Sequence, residues 1–107
     1  MKKIDNFTVI YKILSTLEQA MDSATFNADM ISAEVLGISQ YRWIKYIQML
    51  QESGYITGVS ITSYMNGEAV VDMESIRITL KGLEYLQENS IMQRIYRTLK
   101  GIHDLKP

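Results

Sequence analysis

The chain has 107 residues, of which 47% are hydrophobic and 21% charged, which excludes a disordered chain and predicts one globular domain over residues 1–107. Its net charge of −1 excludes a uniformly basic nucleic-acid binder, and the absence of cysteine excludes disulfides and thiolate metal sites. No apolar run is long enough to span a bilayer and the N-terminus lacks a signal-peptide core, so we expect a cytoplasmic protein without membrane contact.

Charge is distributed unevenly along the chain. Residues 1–38 and 68–88 are acidic, whereas residues 39–67 and 89–107 carry net positive charge. An anionic partner is therefore expected at one of the two positive segments.

A first helix is predicted over about residues 6–22, because apolar side chains recur there at steps of three and four, the spacing of one helical face. The predicted core-facing residues are Phe7, Ile10, Leu14, Leu17 and Met21. The segment that follows, around Ala24–Phe26, is compatible with one brief strand.

Two further helices joined by a glycine predict a helix-turn-helix. The second helix is predicted over about residues 28–36, with Asn27 as N-cap and Gly37 just past its end. Its apolar stripe consists of Ala28, Ile31 and Val35.

The third helix is predicted over about residues 40–53, between a Ser39 N-cap and Gly54. Its core-facing residues are Trp43, Ile47 and Leu50. A tight turn between two amphipathic helices, the second of them longer, is the helix-turn-helix arrangement.

After Gly54 the hydrophobic period changes from helical to alternating, which predicts strands at about residues 55–62 and 70–79. Between them lie Asn66 and Gly67, the dipeptide that best tolerates the positive φ angles of a hairpin turn. We therefore predict a β-hairpin with a long, partly irregular tip. A helix-turn-helix followed by such a hairpin is the element order of a winged helix, with the hairpin as the wing.

Two helices are predicted after the hairpin. The fourth, over about residues 80–88, begins at a Thr79 N-cap and contains Gly82, which permits close approach of a neighbouring backbone. The fifth, over about residues 91–102, begins with a capping box formed by Ser90 and Gln93. The predicted fold is therefore an α+β winged helix with an additional C-terminal helix.

Four sequence runs resemble a known family. The run LGISQYRWIKYIQMLQESGYI resembles the recognition-helix region of bacterial winged-helix regulators, and ITLKGLEYL resembles the segment after their last wing strand. Together with NFTVIYKILSTLE and NSIMQRIYRTLKGIHDLKP, these runs are similar to the YjcQ-type family of small proteins from Gram-positive bacteria and their prophages. The resemblance covers nearly the whole chain and implies a winged-helix fold, but it implies no particular biochemical role.

A winged helix of the usual kind places its third helix in the major groove of DNA, with outward side chains against base edges and phosphates. Glutamine can pair with adenine, arginine with guanine or phosphate, and lysine and tyrosine with the backbone. The same polar side chains are also typical of a solvated helix face. The leading hypothesis is a regulatory protein that binds double-stranded DNA, with a homodimer as a possible assembly. Its candidate DNA-binding residues are Gln40, Tyr41, Arg42, Lys45, Tyr46 and Gln48 on the third helix, and Arg94, Arg97 and Lys100 on the fifth.

The wing favours a different function. Between Ser63 and Ser75 the chain carries Glu68, Asp72 and Glu74 but neither lysine nor arginine, so the electrostatic field of the wing would repel phosphate. Exposed aromatic and methionine side chains suit a protein partner. The candidate residues for such a contact are Ile44, Met49, Tyr64 and Met65. The alternative hypothesis is therefore a winged-helix adaptor or inhibitor that binds another protein and not DNA.

Catalytic and metal-binding chemistry is not expected from this sequence. His103 is the single histidine, cysteine is absent, and no G-x-S-x-G, Walker or Rossmann pattern occurs. We therefore expect neither an enzyme nor a cofactor.

Overall fold

The computed structural model describes residues 5–89. Its helices are α1 (Asn6–Gln19), α2 (Ala33–Leu36), α3 (Gln40–Glu52) and α4, whose described part covers residues 80–89. Short 3-10 helical turns lie at Ala20–Asp22 and Ala28–Ile31. The strands are β1 (Ile56–Thr57), β2 (Ser60–Ser63), β3 (Ala69–Asp72) and β4 (Arg77–Ile78).

The fold class is α+β, with helices followed by an antiparallel hairpin, as predicted. The predicted fifth helix lies outside the described residues. No helix within residues 5–89 is long and apolar enough to cross a membrane.

The α1 helix begins at the predicted residue, but its core face differs from the prediction. The Asp5 carboxylate caps the helix by accepting hydrogen bonds from the backbone N–H groups of Phe7 (3.1 Å) and Thr8 (3.4 Å). Phe7 and Met21, both predicted to face the core, are 66% and 59% exposed. The buried residues of α1 are Val9, Ile13, Leu14 and Leu17. Met21 lies past the end of α1, in the 3-10 turn Ala20–Asp22, where the α-helical spacing no longer sets its direction, and Phe7 lies at an edge of the apolar arc that stays in solvent.

Residues 23–25 form bends, so the brief strand predicted at 24–26 is wrong. This segment faces residues 74–78 across a groove of about 700 Å³. The groove separates the two backbones, and β4 instead forms its ladder with β1. Spacing within the sequence does not reveal how far apart two such segments lie.

The predicted helix over residues 28–36 is divided at Ser32. Asn27 accepts a hydrogen bond from the N–H of Asp29 and so begins the 3-10 turn, as expected of an N-cap. Ser32 then has extended backbone angles, and its hydroxyl accepts a hydrogen bond from the N–H of Val35 at 3.2 Å. The serine thereby begins a new helix within the predicted one. Because the new helix starts at Ala33, Val35 no longer shares a face with Ala28 and Ile31. Its side chain is 63% exposed, so its assignment to the core is wrong.

Both predicted wing strands are interrupted in the middle. The outer ladder pairs β2 with β3, from Ser60 opposite Asp72 to Ser63 opposite Ala69, and the inner ladder pairs β1 with β4. Between the two ladders, residues 58–59 lie opposite residues 73–76. Gly58 has a φ of +87°, and a Cβ atom there would lie 1.9 Å from the Ser75 carbonyl oxygen. The two backbones therefore meet where only glycine fits.

The irregularity predicted for the hairpin tip lies instead at this interruption. The tip is a tight turn in which the N–H of Gly67 donates to the Tyr64 carbonyl at 3.0 Å. Gly67 has a φ of +89°, the left-handed conformation that the Asn-Gly dipeptide predicts.

The side chain of Gln51 joins α3 to the interruption in the wing. Its Nε2 donates to the Val59 carbonyl at 2.8 Å, and its Oε1 accepts from the Val59 N–H at 2.9 Å. These two bonds replace the ladder contacts that Val59 lacks. The wing is therefore attached to α3 by a side chain as well as by the polypeptide.

The start of α4 agrees with the prediction. The Thr79 hydroxyl accepts a hydrogen bond from the N–H of Gly82 at 3.1 Å and donates to the carbonyl of Gly54. A Cβ atom on Gly82 would lie 2.4 Å from the Tyr55 carbonyl oxygen, so the glycine permits the expected close approach. Burial and the neighbouring Tyr55 raise the pKa of the Tyr85 hydroxyl above its ordinary value.

Candidate nucleic-acid interface

The turn between α2 and α3 has the predicted helix-turn-helix geometry. Gly37 adopts a φ of +73°, and its N–H donates to the Glu34 carbonyl at 3.2 Å. The N–H of Ile38 donates to the Ala33 carbonyl at 3.0 Å, which completes the glycine-terminated helix end. The Ser39 hydroxyl then accepts from the N–H of Arg42 at 3.1 Å and begins α3.

One face of α3 is anchored in the core. Its buried residues are Trp43, Tyr46, Ile47 and Leu50, and three of these four were predicted. The indole N–H of Trp43 donates to the carbonyl of Ile31 at 2.7 Å, in a site where both residues are buried. Together with the four buried side chains, this hydrogen bond holds one face of α3 against the core, so that the opposite face points outward.

The outward face of α3 carries most of the predicted DNA-binding residues. Gln40, Tyr41, Arg42, Lys45 and Gln48 are all exposed. Two of them are cations, and the acidic residue of this helix, Glu52, lies at its opposite end. The helix therefore presents polar and positively charged side chains at its N-terminal half.

Tyr46 does not belong to this outward face. Its side chain is only 3% exposed, so its assignment as a surface residue is wrong. It lies four residues after Arg42 and one before Ile47, close to the boundary between the two helix faces. Whether such a residue is buried depends on how much surface α1 covers, which helical periodicity does not specify.

Asn6 of α1 contacts Arg42 and Tyr46, and sequence reasoning did not single it out. Nη2 of Arg42 donates to Asn6 Oδ1 at 2.7 Å, and Nε of Arg42 donates to the Tyr46 hydroxyl at 3.1 Å. The Tyr46 hydroxyl in turn donates to Asn6 Oδ1. The guanidinium carbon lies 5.6 Å from the centre of the Tyr46 ring. Nothing in the sequence relates residues separated by 36 and 40 positions.

An acidic groove lies beside the N-terminal end of α3. It has a volume of about 380 Å³, and Gln40 and Trp43 line it together with Asp29 and Glu74. The carboxylates of Glu68 and Asp72 are also exposed on the wing. These carboxylates would repel a phosphate group beside the N-terminal end of α3, whereas Arg42 and Lys45 on the helix itself would attract one.

The predicted protein-interaction residues fall into two groups. Met49, Tyr64 and Met65 are exposed, with Met65 fully exposed at the hairpin tip. Ile44 is half-buried and packs against the core, so its assignment as a surface residue is only partly correct. Met49 lies on α3 and the other two exposed residues lie on the wing.

The remaining predicted site residues, Arg94, Arg97 and Lys100, lie outside the described residues, as does His103. Within residues 5–89, no three histidine, aspartate or glutamate side chains are grouped so that they could hold a metal ion.

A helix-turn-helix followed by an antiparallel hairpin defines a winged-helix-like α+β protein with one exposed face on its third helix. Comparison with protein families identifies the relatives of this chain: the family model described as YjcQ protein matches residues 11–105. The chain belongs to the YjcQ family. No curated protein and no solved structure matches it.

Proposed function

We propose that this protein is a DNA-binding regulator that inserts α3 into the major groove of double-stranded DNA and acts as a homodimer. The observation that supports the proposal is the exposed face of α3, which offers two amides, a tyrosine and two cations beside a hairpin. Side chains of these types make the base and phosphate contacts of recognition helices.

The charge of the wing predicts how strongly such a helix would bind. Each phosphate that a protein neutralises changes the logarithm of affinity by about 0.9 per decade of salt concentration. Arg42 and Lys45 alone would produce a slope of about 2, and the exposed carboxylates of the wing oppose binding. A single protomer therefore binds weakly, and a dimer doubles the number of contacts.

Replacing Arg42 and Lys45 together by alanine is expected to weaken retention of duplex DNA at low salt at least about tenfold. The double variant loses both cations of the outward face but keeps the buried face of α3. The measurement is an electrophoretic mobility shift with random duplex at two salt concentrations, together with size-exclusion chromatography for the oligomeric state.

A charge-matched control for this experiment is the double variant Lys12→Ala with Arg77→Ala, which removes two exposed cations from α1 and β4. Its binding should stay close to that of the native protein. Equal losses in the two double variants would indicate a nonspecific charge effect. Absence of retention by the native protein at low salt would refute DNA binding.

The wing tip supports a second candidate function, which is the binding of a protein partner. Tyr64 is 53% exposed, Met65 is fully exposed, and Val70 on β3 is 55% exposed. Acidic residues lie nearby, so the matching partner would offer an apolar surface with a basic rim.

Under this second function, Tyr64→Ala with Met65→Ala should abolish capture of the partner in affinity purification with tagged protein. The control variant is Met30→Ala, which removes from the 3-10 turn at Ala28–Ile31 a side chain about as exposed as Tyr64 and should not affect capture. Equal recovery of every co-purifying protein with the double variant would exclude the wing tip as the contact.

A further inference from the structure

We infer that Asn6 and Tyr46 hold Arg42 in position, so that the outer edge of its guanidinium binds a group with two acceptor atoms in one plane. In DNA such a group is either the major-groove edge of guanine or a backbone phosphate. The inference rests on the proposed function and names the residues that position its central side chain.

The three side chains form a closed set of hydrogen bonds. Asn6 Oδ1 accepts from both Nη2 of Arg42 and the Tyr46 hydroxyl. The Tyr46 hydroxyl donates its hydrogen bond to Asn6, so its oxygen can accept a hydrogen bond from Nε of Arg42. The distance of 3.1 Å between these two atoms agrees with this direction. Each of these three hydrogen bonds therefore has one donor and one acceptor.

These contacts use only one edge of the guanidinium. Arginine has five N–H groups, and the bonds to Tyr46 and Asn6 occupy one on Nε and one on Nη2. The remaining three include at least one on each terminal nitrogen. Within residues 5–89 no further hydrogen bond involves these groups, and the Arg42 side chain is exposed. The outer edge is therefore a pair of parallel donors that faces solvent.

The two residues that support Arg42 belong to different helices. Tyr46 is buried in the core, and Asn6 lies in the first turn of α1, where Asp5 caps the helix. Ordering a long side chain on binding normally costs affinity, and a side chain that is already held avoids much of that cost. Lys45, three residues further on, makes no hydrogen bond of this kind within residues 5–89 and supplies charge without fixed geometry.

The position of Arg42 suits this role. It is the third residue of α3, and N-terminal residues of a recognition helix commonly contact base edges. A guanidinium presents two parallel N–H groups to guanine O6 and N7 or to two phosphate oxygens, whereas a lysine ammonium cannot match this geometry.

The test compares duplex binding by the native protein with that of Asn6→Ala, Arg42→Ala and the double variant of these two. Asn6→Ala leaves all cations in place, so the salt slope should remain, but affinity should fall about three- to tenfold because Arg42 must be ordered on binding. In the Arg42→Ala background the same substitution should have no further effect. Gln19→Ala, an exposed amide near the other end of α1, is the matched control. Thermal unfolding of each variant verifies that it is folded.

A pool of duplexes with randomised sequence distinguishes the two acceptors. If Arg42 binds guanine, the native protein should select guanine at one position, and both Asn6→Ala and Arg42→Ala should lose that selection. If Arg42 binds phosphate, no base preference depends on it, and Arg42→Ala should lower the salt slope by about one.

Two results would overturn the inference while DNA binding stands. One is native affinity in folded Asn6→Ala, and the other is an equal loss from that substitution in the presence and absence of Arg42. If the native protein retains no duplex at all, the proposed function fails and the role of Asn6 fails with it.

Discussion

Gly58→Ala is expected to destabilise the protein by about 2–5 kcal/mol, because two costs add at this position. An alanine at a φ of +87° costs about 1–2 kcal/mol in the left-handed conformation. The new Cβ atom would also lie 1.9 Å from the Ser75 carbonyl oxygen and 2.5 Å from its carbon, which forces the two strands apart. The free energy of unfolding in urea, measured by circular dichroism, would report the loss.

The matched control is Gly67→Ala in the same hairpin. Gly67 has a nearly identical φ of +89°, but no atom lies within 4 Å of its hypothetical Cβ. Only the conformational cost of about 1–2 kcal/mol should remain. Equal destabilisation by the two substitutions would mean that the strands do not approach closely at Gly58.

Trp43→Phe should lower the free energy of unfolding by about 2–4 kcal/mol. Phenylalanine cannot donate to the Ile31 carbonyl, which would then be buried without its 2.7 Å hydrogen bond. The smaller ring also leaves space between α3 and the 3-10 turn. Chemical denaturation monitored by circular dichroism is the appropriate measurement, because the variant lacks the single tryptophan.

Tyr41→Phe is the control for the tryptophan substitution. Tyr41 lies on the same helix but is 78% exposed, so loss of its hydroxyl should change stability by no more than about 0.5 kcal/mol. A loss below about 1 kcal/mol for Trp43→Phe would show that another donor or water satisfies the Ile31 carbonyl.

Trp43→Phe and Gly58→Ala disturb two different contacts that hold the candidate interface in place. Trp43 helps to hold one face of α3 against the core, and Gly58 allows the wing to bend beside Gln51 of α3. In either case the exposed cations would keep their chemistry and lose their placement. Binding measurements on such variants therefore report on the fold, whereas Asn6→Ala reports on the position of a single side chain.

Several helix ends, but not the start of α2 at Ser32, could be predicted, because a cap depends on residues within four positions of each other. Asn27, Ser39 and Thr79 cap the turns or helices that the sequence assigned to them. Gly37 ends α2 with a positive φ, as expected. Side-chain oxygens and the absence of a Cβ atom act locally, so these features need no knowledge of the fold.

The faces of the helices could be predicted only in part. The spacing of Trp43, Ile47 and Leu50 identified the buried side of α3. Tyr46, however, was predicted to be exposed and is buried, and Phe7 was predicted to be buried and is exposed. Periodicity gives the direction of an apolar face and not its width. The width depends on how much of the helix the neighbouring elements cover.

The residue pattern alone was enough to predict α1, α3, the hairpin and the start of α4, the caps at Ser39 and Thr79 and the central apolar side of α3, since all of these follow from interactions between near neighbours in the chain. The folded chain was needed to see that Gly58 touches Ser75, that Gln51 holds the wing and that Asn6 holds Arg42. Each of these contacts joins segments whose distance in space is set by the packing of the whole core, and no local pattern encodes that distance.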